Sequence, residues 1–173
     1  MKQETCQLLT PTDDPEIAVA CLRNDNYAAQ QKFDGKRILL SVDRNSATAH
    51  NRNGLRCAVS PTVLEQARRL APIAPLVLDG EWLRETKSFH AFDLLEIDGT
   101  DLRTYPFQDR QSRLSRTLAV AQLPHIKPVR TEYDHDQKSR SLRKNSCPQP
   151  GRCRLKSCQL AVQSWPPARS IQN

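Results

Sequence analysis

The segment KFDGKR at residues 32–37 constrains the fold of this chain more than any other. Its Asp-Gly pair is typical of a tight turn, because glycine allows backbone conformations and close approaches that other residues resist. A stretch with alternating character, residues 38–42, follows directly and predicts a half-buried strand. We therefore expect two strands, at residues 30–33 and 37–42, on either side of the Asp-Gly turn.

The same segment has the residue types that a nucleophilic lysine requires. A lysine amine with its ordinary pKa is protonated at neutral pH, so it attacks an electrophile only after desolvation or beside other cations. Lys36 and Arg37 would supply such cations for Lys32, and they would also offset phosphate charge. The alternative is an ordinary hairpin turn with solvated basic flanks.

Four further pieces follow downstream, and each coincides with a predicted turn, strand or helix start. They are Asn51-Arg52-Asn53-Gly54, Leu78-Asp79-Gly80-Glu81, the stretch FHAFDLL at residues 89–95, and Pro106-Phe107-Gln108-Asp109-Arg110 after an Asp98-Gly99 turn. Taken singly, each has a structural explanation: Phe92 as a core aromatic, Glu81 as a solvated carboxylate, Arg52 as a loop cation. Taken together, in the order in which they occur along the chain, the four pieces favour a functional explanation.

In this order, the pieces resemble the adenylation motifs of ATP-dependent DNA ligases, over residues 15–136. The resemblance implies that Lys32 is the catalytic residue, which attacks the α-phosphorus of ATP and holds AMP. It implies that Arg37 and Arg52 bind ATP, that Phe92 stacks on adenine, and that Glu81 contacts the ribose or a metal. Asp34 and Gly35 would form the supporting turn.

The resemblance also implies a fold, cofactors and a partner. The fold is α+β, an incomplete ATP-grasp-like nucleotidyltransferase domain with mostly antiparallel sheets and flanking helices. The cofactors are ATP and Mg²⁺, and the partner is nicked double-stranded DNA, sealed by a monomer. RNA ligases and capping guanylyltransferases share the Lys-x-Asp-Gly core, but the long stretch at residues 89–114 favours DNA ligase. A third alternative is a non-catalytic decayed fragment or a basic-tailed nucleic-acid binder.

The sequence departs from the family pattern at two places, and some family features cannot be recognised in it. Asp109-Arg110-Gln111 stands where DNA ligases usually read Glu-Arg-Arg, and Gln30-Gln31 precedes the lysine where an acidic or aromatic residue is usual. No later Glu-Gly strand, no Lys-x-Lys strand and no nucleic-acid-binding barrel of the OB type is readable. We therefore expect little or no self-adenylylation from the chain as it stands.

The composition changes near residue 138, which predicts a partial adenylation domain at residues 1–138 and a basic tail at 139–173. The tail has seven Lys or Arg and no Asp or Glu, so it accounts for the whole net charge of +7. It has no apolar periodicity and is predicted to be disordered or out of frame.

A single-nucleotide frameshift after about Lys138 would explain both the tail and the missing motifs. Codons allowed for residues 151–169, read one nucleotide later, permit a translation that begins with Glu-Gly and ends in a Gly-Arg-Pro run. The alternatives are a nucleic-acid-binding arm and, less favoured, a metal site at Cys147, Cys153 and Cys158, whose intervals do not suit zinc.

The scattered cysteines and the absence of a readable secretory or membrane segment predict a cytoplasmic protein, bacterial or phage-type, with reduced thiols. Hydrophobic periodicity predicts the remaining elements: helices at residues 15–22, 61–70 with Ser60 as N-cap, and 107–121, and strands at 47–51, 76–83, 88–97 and 125–130.

Overall fold

The computed structural model of the chain describes residues 15–145 and 163–164. In chain order the elements are α1 (Pro15–Arg23), β1 (Tyr27–Gln30), β2 (Lys36–Val42), β3 (Ala47–Asn51), α2 (Pro61–Arg68), a short 3₁₀ turn (Ala71–Ile73), β4 (Leu76–Leu83), β5 (Ser88–Ile97), β6 (Thr100–Asp101), α3 (Phe107–Ala121), β7 (Ile126–Pro128), β8 (Thr131–Glu132), α4 (His135–Asn145) and β9 (Gln163–Ser164). The described residues form two compact units, one comprising Phe33–Val129 and the other residues 15–32, 130–145 and 163–164.

The first unit is built on a six-stranded sheet. Its strands run in the order β3-β2-β4-β5-β6, all antiparallel, and β7 adds to β5 in parallel. Helix α3 packs on β5 and β7, and α2 packs on β2, β3 and β7. The α+β class with mostly antiparallel strands and flanking helices is thus confirmed.

Alternation along the strands gives the sheet two different faces. One face carries the main core, in which residues such as Ile38, Leu40, Leu78 and Phe89 are fully buried. A smaller buried cluster lies apart from it and consists of Leu39, Val77 and Leu95. Since neighbouring residues of a strand point to opposite faces, the apolar run in β2 supplies both clusters.

Strand β5 departs from regular pairing with β4 at two positions, and at the first Leu95 is the extra residue, between the pairs Val77↔Glu96 and Leu78↔Leu94. At the second, the register passes from Asp79↔Asp93 to Gly80↔Ala91, so Phe92 is the extra residue of a bulge. Ala91 and Leu94 consequently both belong to the main core, although strict alternation would place residues three apart on opposite faces.

The second unit is smaller. Its strand β1 lies between β8 and β9, antiparallel to both, and α1 contacts α4. The side chain of Lys138 is 1% exposed, and its amine donates to the Asn24 carbonyl oxygen at 3.0 Å. Gln30 donates from Nε2 to Thr131 Oγ1 at 2.8 Å, which ties β1 to β8.

Most predicted elements of the first unit are confirmed. The strands Ala47–Asn51, Leu76–Leu83 and Ser88–Ile97 and the helix Phe107–Ala121 have the predicted bounds. Helix α2 begins at Pro61 after Ser60, as predicted, but the Ser60 side chain makes no capping hydrogen bond.

The hairpin expected around the Asp-Gly turn is wrong. Strand β1 ends at Gln30, so Phe33 lies outside it, and β1 pairs with β8 and β9 whereas β2 pairs with β3 and β4. The expected strand at residues 125–130 is also interrupted: β7 ends at Pro128, and a separate strand, β8, begins at Thr131. Proline has no N–H to continue the β-ladder.

The predicted boundary between residues 138 and 139 falls inside α4, which ends at Asn145. The remaining tail, apart from Gln163–Ser164, lies outside the described residues, so the frameshift, the disorder and the cysteine site stay predictions. Within the described part of the chain, no helix has both the length and the apolar character needed to cross a membrane.

The core predicts a clear stability difference. Replacing Phe89, which is fully buried, by alanine removes a large side chain from the main core, and we expect the free energy of unfolding to fall by about 3–5 kcal/mol. The control is Leu55→Ala, because Leu55 is 64% exposed and its loss should cost under about 0.5 kcal/mol. Urea titrations followed by circular dichroism would measure both, and similar losses would contradict the core described above.

Candidate functional site

The face of the sheet opposite the main core carries a row of charged and aromatic side chains. Antiparallel register places Arg37 beside Glu81 and Leu39 beside Asp79. It then places Asp79 beside Asp93 and Glu81 beside His90. Because directly paired residues share a face, side chains from β2, β4 and β5 converge there.

Arg37 is held in place by Asp79. The guanidinium donates from Nε to Oδ1 at 3.0 Å and from Nη2 to Oδ2 at 2.7 Å, and the Asp79 side chain is only 1% exposed. Burial raises the pKa of the Asp79 carboxyl, and the paired guanidinium opposes that rise. The bidentate contact fixes the plane of the Arg37 side chain as well as its charge.

The Arg37 guanidinium also lies over the Phe92 ring, 5.1 Å from the ring centroid. Such a contact is attractive because the face of an aromatic ring is electron-rich. The sequence-predicted residues Arg37 and Phe92 are therefore brought together.

A second buried ion pair holds Asp93, the residue that follows Phe92 in β5. Arg110 of α3 donates from Nε and Nη2 to the two oxygens of Asp93, at 2.9 and 2.7 Å, and from Nη1 to the Tyr105 carbonyl at 2.7 Å. Asp93 also accepts from the Leu94 amide at 2.8 Å. Burial raises the pKa of Asp93, and the Arg110 guanidinium opposes the rise.

The two ion pairs form one row, in which two neighbouring carboxylates lie between two guanidinium groups. Asp79 and Asp93 are cross-strand neighbours, and the Asp93 charge adds to the rise in the Asp79 pKa. Two buried carboxylates side by side repel one another unless each has a cation. Arg37 and Arg110 provide those cations at the two ends of the row.

The Asp-Gly turn is anchored to β4. The Gly35 amide donates to Glu81 Oε1 at 3.2 Å. A Cβ at position 35 would overlap the Trp82 carbonyl oxygen and lie 2.7 Å from Leu83 Cδ2, so only glycine fits against this strand. Asp34 is exposed. The turn and the Leu78–Glu81 motif, 46 residues apart at their hydrogen bond, thus meet directly.

Phe33 is anchored on the same face. Its ring lies 4.2 Å from the His90 ring between centroids, and His90 Nε2 is 3.0 Å from Ser88 Oγ. Burial lowers the pKa of His90, and the charge of Lys127 adds to that effect. The lowered pKa favours the neutral form of the ring that packs against Phe33.

The two other predicted site residues are placed differently. Arg52 is exposed in the turn after β3 and forms no hydrogen bond or ion pair with any residue that the structure describes. Lys32 is exposed and is the last residue of the second unit's N-terminal segment.

Sequence reasoning missed the partners that hold the site. The motifs contain Asp79, Asp93 and Arg110, but no role was predicted for them. A charged residue inside an apolar run indicates a buried ion pair. His90 and Gln111 had no such signal, because their contacts depend on tertiary packing. As for metals, the described residues contain no group of three or more His, Cys, Asp or Glu that could hold an ion.

Comparison with known proteins extends this description, although no protein-family model matches the chain. It is 33% identical to the multifunctional non-homologous end joining DNA repair protein LigD of Mycobacterium tuberculosis over 122 residues, which cover 60% of this chain and 16% of LigD. It is 36% identical to the mRNA-capping enzyme of African swine fever virus over 58 residues, 34% of this chain and 7% of that enzyme.

Among solved structures, DNA ligase domains have a fold similar to that of this chain. The ligase domain of M. tuberculosis LigD superposes with a TM-score of 0.56 at 29% identity, covering 68% of this chain and 45% of that one. A mycobacterial DNA ligase D complexed with ATP and MES gives a TM-score of 0.54 at 27% identity, covering 68% and 44%. This chain therefore spans less than half of each solved ligase chain.

The buried row of charges predicts unequal effects of two arginines on one helix. Arg110→Ala leaves Asp93 buried without its cation, and we expect a loss of about 3–5 kcal/mol in the free energy of unfolding. Arg116→Ala, on the exposed side of α3, should cost under about 0.5 kcal/mol. Denaturant titration would compare the two, and equal losses would show that the pair does not stabilise the fold.

Proposed function

We propose, from the premise that the chain carries part of a nucleotidyltransferase domain of the ATP-dependent DNA ligase family, that Lys32 is its catalytic residue and ATP its nucleotide substrate. The reaction is transfer of AMP to the lysine amine. Residues 1–138 supply this partial domain in the proposal, and residues 139–173 form its tail.

One observation carries the proposal: the hydrogen bond of 3.2 Å from the Gly35 amide to Glu81. It joins the turn that follows Lys32 by three residues to the end of the Leu78–Glu81 motif. Two sequence motifs 46 residues apart are thereby held side by side, where β2 begins to pair with β4. Such convergence of distant polar groups is characteristic of a functional site rather than of a surface turn.

The proposed step needs a deprotonated amine and a positioned nucleotide. The Lys32 amine attacks the α-phosphorus, a P–N bond forms, the bond to the pyrophosphate oxygen breaks, and the amine proton passes to solvent. Phe92 supplies a ring on which adenine stacks. The Arg37 guanidinium lies over that ring and is held there by its ion pair with Asp79. Arg52, an exposed cation, pairs with phosphate or ribose oxygens.

Glu81 is the residue that would hold Mg²⁺. Magnesium in nucleotide sites is bound by one or two carboxylates together with substrate phosphates, so a single protein carboxylate fits this role better than a full cage of ligands. The ion, when bound, neutralises charge that develops on the phosphates. Glu81 is half-buried and near the turn through its contact with Gly35, which keeps its carboxylate oriented.

For the whole protein we propose sealing of nicks in double-stranded DNA, by a monomer in the cytoplasm. AMP passes from lysine to the 5′-phosphate of the nick, and the 3′-hydroxyl displaces it. The 122-residue match to LigD, a DNA repair protein by name, supports repair; replication and recombination also use this chemistry. The second candidate is capping-type guanylyl transfer, which the shorter match to a viral mRNA-capping enzyme favours.

Labelling with [α-³²P]ATP and Mg²⁺ tests the proposal. We expect a weak label that is acid-labile and base-stable, as a phosphoramidate is, because the strands that grip the α-phosphate are not readable in the sequence. Lys32→Ala should lose the label entirely. Lys87→Ala is the matched control, because Lys87 is an exposed lysine with no role in the proposed reaction, and it should keep the label of the wild type.

Two results would contradict the proposal. Equal labelling of the Lys32→Ala variant would remove Lys32 from the reaction, and failure of the chain to bind ATP at all would remove the function. Stronger labelling from [α-³²P]GTP than from ATP would move the assignment to the capping type.

A further inference from the structure

Helix α3 reaches the candidate site through a buried amide. Gln111 is 4% exposed, and its Nε2 donates to the backbone carbonyl of Phe92. A buried side-chain amide of this kind is usually retained for a specific hydrogen bond, because burying it without one costs free energy. The carbonyl that accepts this hydrogen bond belongs to Phe92, the residue whose ring would stack on adenine.

The position of this contact along β5 explains why a side chain is needed there. On the edge of β5 away from β4, β7 pairs with residues 89–91 and β6 pairs with Glu96 and Ile97. The Val129 amide donates to Ala91 at 2.7 Å, and the Leu102 amide donates to Leu95 at 2.8 Å. Gln111 meets β5 between these two points, at the bulge residue itself.

The neighbouring residue of the helix completes the attachment. Arg110 grips the Asp93 carboxylate with two hydrogen bonds, while Gln111 holds the carbonyl of the preceding residue. Two consecutive residues of α3 therefore hold two consecutive residues of β5. A bulge residue lacks the regular ladder that orients its neighbours, so the orientation of its ring depends on such contacts.

We propose that Gln111 is a positioning residue for the nucleotide base, acting through the Phe92 backbone. This inference rests on the nucleotide function proposed above. The Phe92 ring is set from two directions, by Gln111 on its backbone and by Arg37 over its face.

The test uses the full chain and two variants at one position. Gln111→Ala removes the donor, and Gln111→Glu puts an oxygen against the Phe92 carbonyl at nearly constant volume. We expect either change to weaken ATP binding about five- to tenfold, the size of a lost stacking contact, and to leave the affinity for tripolyphosphate unchanged. Ser112→Ala, at the exposed next residue of α3, is the matched control and should bind both ligands as the wild type does.

A spectroscopic measurement keeps the two proposals apart. The chain has only four phenylalanines, so the Phe92 ring signals in a ¹³C-Phe spectrum can be assigned with Phe92→Leu. Both Gln111 variants should shift those signals before any ligand is added, and Ser112→Ala should not. Unshifted Phe92 signals, or ATP affinity equal to that of the wild type, would overturn the role of Gln111 alone. A wild-type chain that binds no ATP would overturn the nucleotide function and this inference with it.

Discussion

The row of charges formed by Arg37, Asp79, Asp93 and Arg110 is the constraint on which the site depends. Two carboxylates are buried side by side between β4 and β5, and neither is tolerable there without its guanidinium. The two ion pairs therefore fix the structure at both ends of the row. Arg110 fixes α3 to β5, and Arg37 fixes the open end of the row over the Phe92 ring.

Much of the sheet could be predicted from the sequence, for a physical reason. Strands β4 and β5 and helix α3 combine strong periodicity with polar boundaries, so local pattern and tertiary structure agree there. The hairpin around Asp34 and Gly35 could not be predicted correctly, because the Asp-Gly pair is equally compatible with a bend packed on another strand. What decides is the close approach of Gly35 to the Trp82 carbonyl, a contact between residues far apart in sequence.

Motif order singles out the candidate site residues, but it does not indicate the contacts that hold them. Lys32, Arg37, Arg52, Glu81 and Phe92 follow from motif order, and of these the structure groups Arg37, Glu81 and Phe92 on one sheet face. The buried partners that hold them come from other elements, as Asp79 of β4 does for Arg37 of β2. Gln111 illustrates this, since nothing in the local sequence indicates that its amide meets a carbonyl 19 residues earlier.

The bulge in β5 has a consequence for how this strand could have acquired its role. With Phe92 deleted, Ala91 and Leu94 become next-but-one neighbours, and ordinary alternation alone would put both on the core side and Asp93 opposite them. Phe92 is therefore an extra residue of one codon, and Leu95 is the second extra residue that β5 carries opposite β4. An aromatic side chain could therefore be gained or lost at this point with the main core and the Asp93–Arg110 ion pair left intact.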